Sequence, residues 1–229
     1  MARLARIVVP GLPHPLTQRG NRREALFFED GDHEIYIDLL AEQALKVSVA
    51  VWAYCLMPNH VHLILRPMRS GDLGRAVGEA HRRYTNFINA RGRWAGHLFQ
   101  SRFSSVVLDD DQLIRAVRYV SMNPVRARLV NRPEEWKWSS VRAHVSGVDD
   151  ALVSVRPVLD RIPHLKDLLQ AGLEDDYGEL RRAEAAGRPL GTPEFVNGLE
   201  TVLGRKIARR APGRKPATVS PRAEQLELL

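Results

Sequence analysis

The chain has 229 residues, enough to bury a core as one domain with an extension or as two small domains. Its 34 Lys and Arg exceed its 27 Asp and Glu, and the formal net charge of +7 favours an anionic partner, nucleic acid first. A single cysteine, Cys55, excludes an internal disulfide framework and a multi-cysteine zinc site, and no apolar run reaches the roughly 18 residues of a membrane helix.

The N-terminal stretch MARLARIVVPGLP is too short and too soon broken by Pro10 and Gly11 to read as a signal peptide. Residues 4–9 and 12–18 hold β-prone runs, and Arg19-Gly20-Asn21-Arg22-Arg23 is a basic turn. Residues 32–47 predict a helix with Ile35, Leu39, Ala41 and Leu45 in its stripe and Asp32 as its cap. Residues 48–56 and 60–66, joined by a Met57-Pro58-Asn59 turn, predict a hairpin. Leu73, Val77, Ala80, Tyr84, Phe87 and Ile88 recur at helical spacing over 71–91. A strand over 102–108 and a helix over 111–122, stopped by Asn123-Pro124, complete the order β-α-β-β-α-β-α. That order predicts an α+β fold: a ferredoxin-like split βαβ antiparallel sheet with helices on one face and the other face open. The expected domain spans 1–145. Residues 146–229 read as a helical extension containing the basic residues Arg205, Lys206, Arg209, Arg210, Arg214 and Lys215, with a disordered end.

His60-Val61-His62 is the first chemistry-bearing feature. Alternation along a strand puts both imidazoles on one face and Val61, Leu63 and Leu65 on the other. Neutral imidazoles placed side by side can hold a divalent metal. Spacing alone favours the plainer reading, two surface histidines in a hairpin. Tyr119 and Asn123 are the second feature, four residues apart on one helical face. At roughly 100° per residue, Tyr119 lies nearly opposite the apolar stripe of Leu113, Ile114, Val117 and Val120. Periodicity leaves two readings equal: a presented tyrosine, or one buried against the extension. Together these groups make sense as phosphoryl-transfer chemistry, with Tyr119 as nucleophile and a cation offsetting phosphate charge. Mixed imidazole and amide ligation suits Mg²⁺ or Mn²⁺.

With these residues in view, the chain resembles the REP-associated tyrosine transposases, a branch of the single-tyrosine transposases in the HUH endonuclease superfamily. The resemblance rests on Thr17-Gln18-Arg19-Gly20-Asn21-Arg22, Met57-Pro58-Asn59-His60-Val61-His62, Phe99-Gln100-Ser101-Arg102-Phe103, the run Arg118 to Ala127 and Trp138-Ser139-Ser140, in the family's order over residues 12–145. It implies metal ligation by His60 and His62. It implies cleavage of single-stranded DNA by Tyr119, with a 5′-phosphotyrosine link and a free 3′-hydroxyl that can later rejoin strands. Asn123 stands where related enzymes often carry Gln as a third ligand. Implied substrates are REP-like palindromes folded as hairpins. The implied setting is a bacterial, nucleoid-associated cytoplasmic protein with no membrane partner, acting as monomer or homodimer.

The basic residues fit such a substrate. Gln18, Arg19, Asn21, Arg22 and Arg23 are candidates for phosphates and base edges, and Arg82, Arg83, Arg102 and Arg115 for further DNA contact. Arg91 and Arg93 add charge, and Trp94 reads either as a stacking residue or as a packed loop residue. His81 reads as structural, and Trp136 and Trp138 as pins for the segment that follows the tyrosine helix. A rival reading is a non-catalytic, domesticated DNA-hairpin-binding protein. An RNA-binding module is a third, disfavoured because the face carries histidines where such sheets carry aromatics.

Overall fold

A computed structural model of the chain describes residues 6–29, 31–170 and 177–207. Arg209, Arg210, Arg214, Lys215 and the expected disordered end lie outside these residues. The strands are β1 (His14–Arg19), β2 (Ala50–Met57), β3 (His60–Arg66) and the short β4 (Ser104–Ser105). They form one sheet in the order β2-β3-β1-β4, with every pair antiparallel. Helices α1 (Asp32–Lys46), α2 (Asp72–Gly92) and α3 (Asp110–Arg126) complete the expected split βαβ order. No described helix is long and apolar enough to cross a membrane.

Leu16, Tyr54, Leu56, Val61, Leu63 and Leu65 project from one face of the sheet and pack on α1 and α2 through Tyr36, Leu40, Leu73, Val77, Ala80, Tyr84 and Ile88. Burial of apolar area on this scale, at about 25 cal/mol per Å², supplies the main favourable term of folding. The buried stripe of α1 is Tyr36, Leu40 and Ala44, one residue out of phase with the expected stripe, and Leu45 is exposed. Asp32 is the first residue of α1, and its carboxylate reaches backwards to accept from the Phe28 and Glu29 amides at 2.8 and 3.0 Å. Arg91 closes on the same carboxylate with both guanidinium arms, at 2.6 and 2.8 Å. Burial alone would raise the Asp32 pKa, but Arg91 and the two amides outweigh it and hold the carboxyl below its usual range.

The opposite face is covered, which corrects the expectation of an open one. Trp52, Ala53, Cys55, Met57 and Ile64 project there against Leu113, Ala116, Val117, Tyr119 and Val120 of α3. The physical reason lies in β2, whose sequence AVWAYCLM is apolar on both faces and needs cover on both. Asp109 caps α3, accepting from the Gln112 amide at 2.9 Å. The helix runs on through Pro124 to Arg126, so the proline does not stop it. The ring removes one rung of the ladder, and Ala127 N–H still closes on Asn123 O at 2.9 Å beyond it.

α4 (Val141–Ser146) ends at the expected boundary, and the extension contributes α5 (Arg156–Leu159), α6 (Leu165–Gln170), α7 (Gly178–Ala186) and α8 (Pro193–Leu203). Val158, Ile162, Leu165, Leu169, Tyr177, Leu180 and Leu190 join the same apolar cluster as α3. The extension therefore packs as a layer over the α3 face. Residues 6–9 form no strand; Ile7 and Val9 pack against Val107, Leu199 and Ile207 instead. The strand expected over 102–108 shrinks to β4, and Leu190 N–H meets Val107 O at 2.9 Å just beyond it.

Candidate active site

Strand pairing places His62 between Thr17 on β1 and Cys55 on β2, and His60 between Arg19 and Met57. The imidazoles of His60 and His62 meet edge to face, with ring centroids 4.8 Å apart. The Tyr119 ring meets His62 edge to face at 5.3 Å. The expected pair and the expected tyrosine are thus in contact within one chain. Tyr119 is 5% exposed. Its other neighbours are the Tyr177 ring at 4.9 Å and the guanidinium groups of Arg126 and Arg181 at 5.2 and 5.5 Å. Of the two open readings of Tyr119, burial against the extension describes the ring, while its position on His62 places it at the pair.

Each histidine has one nitrogen engaged. His60 Nδ1 bonds Asn59 Oδ1 at 2.7 Å, and His62 Nδ1 bonds Thr17 Oγ1 at 2.9 Å. His62 is 1% exposed, and its Nε2 is buried with no hydrogen-bond partner. Burial lowers the His60 pKa to about 4, with help from Arg19. Burial also pushes His62 well below 6.5, followed by the charges of His60, Arg19, Arg181 and Arg126. Both rings are therefore neutral near pH 7, the form that binds metal. A buried imidazole nitrogen without a hydrogen-bond partner among the described residues fits a divalent cation. Asn123 lies one turn beyond Tyr119 on α3, and its Nδ2 is also buried without a partner. Among the described residues no group of three or more His, Cys, Asp and Glu side chains could hold a metal. A site here would need the amide as its third protein ligand.

Sequence reasoning missed Thr17 as a partner of His62, gave Arg126 no role although it lies in the run Arg118 to Ala127, and missed Glu184, Tyr177 and Arg181 altogether. Thr17 was within reach, because β1 and β3 pair in a register that sets it opposite His62. Glu184, Tyr177 and Arg181 carry no sequence signal of their own, since only the packing of the extension brings them to the site. Arg126 Nη1 is buried without a hydrogen-bond partner, and its guanidinium lies over both Tyr119 and Tyr177. Glu184 accepts from Thr17 Oγ1 at 3.1 Å. Burial raises its pKa to about 7 against the opposing pull of Thr17, Arg19 and Arg181.

The candidate DNA contacts divide into free and engaged groups. Arg19, Asn21, Arg22 and Arg23 are exposed at the end of β1, beside the histidines. Arg22 and Arg23 hold left-handed φ angles of 53° and 63°, a conformation that costs side-chain-bearing residues free energy. Arg102 and Arg115 are exposed as well. Gln18 is 2% exposed and spends its amide on the Arg19 and Gln100 carbonyls at 3.1 and 2.8 Å. Arg82 pairs with Glu79 at 2.7 Å and Arg83 with Glu42 at 2.6 Å. Arg91 belongs to the Asp32 clamp. Trp94 is 54% exposed and meets Phe28 edge to face at 5.2 Å. His81 is structural, as expected, bonding the Tyr36 hydroxyl at 2.9 Å and stacking on Phe99 at 4.0 Å. Trp136 Nε1 donates to Leu56 O at 3.1 Å, and Leu56 N–H to Trp138 O at 2.8 Å, so this segment is pinned to β2.

The family described as "Transposase IS200 like" matches residues 14–123, an interval that holds both histidines, Tyr119 and Asn123 and ends before α4. The fold is similar to that of a REP-associated tyrosine transposase solved bound to a REP hairpin. The identity there is 20%, the TM-score is 0.56, and 67% of this chain and 92% of that one are covered. A putative transposase from Deinococcus radiodurans R1 aligns at 18% identity over 52% of this chain and 95% of that one, with a TM-score of 0.37. No curated protein matches the chain.

Proposed function

We propose that this chain is a transposase of the IS200-like kind, the family whose model matches residues 14–123, and that it nicks and rejoins single-stranded DNA at REP-type hairpins through Tyr119. His60, His62 and the Asn123 amide would hold a divalent metal ion, Mg²⁺ or Mn²⁺. Such an ion would neutralise charge that builds on the scissile phosphate.

The protein's own groups do the rest. His60 and His62 present neutral rings. The Tyr119 oxygen attacks phosphorus in line as the P–O3′ bond breaks. The phenol proton ends, by way of solvent, on the departing 3′ oxygen, and the 5′ phosphate stays on the tyrosine. Rejoining reverses these steps with an incoming 3′-hydroxyl. Arg126 and Arg181, packed over the phenol ring, put positive charge beside the phenol and the phosphate it would attack. Arg19, Arg22, Arg23 and Arg102 would grip the backbone on either side. The hairpin preference draws on the chain's resemblance to the REP-associated enzymes, one of which was solved with a REP hairpin.

One observation carries this reading: Tyr119 packs on His62, whose buried Nε2 has no hydrogen-bond partner among the described residues. The test incubates the protein with a labelled REP-type hairpin and Mn²⁺ and looks for a covalent band on a denaturing gel. Wild type should give the band. Tyr119→Phe should lose it, a fall of at least about 10³-fold in cleavage, while still shifting the hairpin on a native gel. A wild-type protein that binds the hairpin and never forms the adduct would establish the non-catalytic reading instead.

A further inference from the structure

Thr17 Oγ1 lies between two buried groups, 2.9 Å from His62 Nδ1 and 3.1 Å from Glu184 Oε1. A hydroxyl carries one proton and an ionised carboxylate only accepts. With Glu184 ionised, above about pH 7, the Thr17 proton therefore goes to Glu184, and the hydroxyl oxygen must receive a proton from His62 Nδ1. An imidazole with its proton on Nδ1 has a bare lone pair on Nε2, the nitrogen that is buried without a partner.

We propose that Glu184 is a positioning residue: acting through the Thr17 hydroxyl, it fixes His62 in the Nδ1–H tautomer and so keeps Nε2 open to the divalent cation. This rests on the metal reading above and adds a residue outside the 14–123 family interval. All three links are shielded, with Thr17 at 9%, His62 at 1% and Glu184 at 9% exposure, so bulk water does not compete for the bonds. Both ends are anchored. Thr17 is the cross-strand partner of His62, and α7 packs against β1 and β4. A carboxylate carried into such a place is costly to folding unless it is bonded, and among the described residues the hydrogen-bond partner of Glu184 is this hydroxyl. Metal-bound histidines commonly give their second N–H to a carboxylate, which orients the ring and raises its basicity. Here one hydroxyl is interposed.

The test reads the tautomer without metal. Long-range ¹H–¹⁵N NMR on full-length, metal-free protein at about pH 8.5, where Glu184 is ionised, should show His62 protonated on Nδ1. In Glu184→Ala and Thr17→Val the signal should move to a mixture or to Nε2–H, and Mn²⁺ affinity by calorimetry should fall about 10–100-fold. Thr17→Ser, which keeps the hydroxyl, should restore both. His62 found as Nε2–H in wild type, or a tautomer and Mn²⁺ affinity unmoved by Glu184→Ala, would overturn the proposal. Should a variant fail to fold, the wild-type tautomer still decides. The predicted tautomer shift with no Mn²⁺ binding in either protein would uphold the link from Glu184 to His62 and refute the metal reading.

Discussion

The two faces of the sheet bury histidines to the same depth and treat them differently. On the α1–α2 side His81 is held by the Tyr36 hydroxyl and the Phe99 ring. At the start of β1, His14 accepts from Val9 N–H at 3.1 Å and bonds Leu12 O at 2.8 Å. On the α3 side His62 is as buried, yet half of its bonding capacity is unspent. Depth alone is thus no mark of function. The mark is a buried polar atom that the protein itself leaves unsatisfied, because such an atom costs stability unless something else completes it.

Several measurements could break or sharpen this contrast. The largest effect should come from His62→Ala, with Mn²⁺ affinity and hairpin cleavage falling together by at least about 100-fold while the thermal midpoint scarcely drops. His81→Ala should do the opposite, lowering the midpoint and leaving Mn²⁺ affinity alone. If the two variants behave alike, the contrast between the faces has no functional content. Next in size is Asp32→Ala, which strips two amides and Arg91 of their acceptor. It should cost about 3 kcal/mol in urea unfolding.

Acid should weaken the fold by a comparable amount. Burial lowers His14 to about 4 and His81 to about 3, whereas the unfolded chain takes up protons below about 6.5. Stability is then complete above about pH 6.5 and is lost as the pH falls from there through the folded values, by at most about 3 kcal/mol for His14 and about 5 kcal/mol for His81. Urea midpoints at about pH 7.5 and 4.5 would show the slope, and His81→Leu should flatten it. Trp94→Ala should be the mildest change, within about 0.5 kcal/mol of wild type in stability. Its measurable effect should be weaker binding of single-stranded DNA, as expected for a half-exposed ring that stacks on a base.

Much of this architecture was legible before the structure. The alternation in HVHLILR and the helical spacing of Leu73 to Ile88 placed the strands and α2, and period two put both histidines on one face. The covered face was partly legible, since AVWAYCLM has no polar side to turn outward. Pro124 misled, because the bias against helix before proline is a tendency that good packing of α3 overrides. Glu184 was illegible, being one acid in a polar helix whose meaning comes only from where α7 docks. Arg91 was misread for a similar reason: its charge is consumed by Asp32, 59 residues away.

The bond from Thr17 to Glu184 spans 167 residues. The Thr17 hydroxyl on β1 waits for α7, which leaves the ribosome long after the strand has been made. A copy that stops short of α7 never gives that histidine its indirect link to a carboxylate, so under the proposal above its metal site stays poorly oriented.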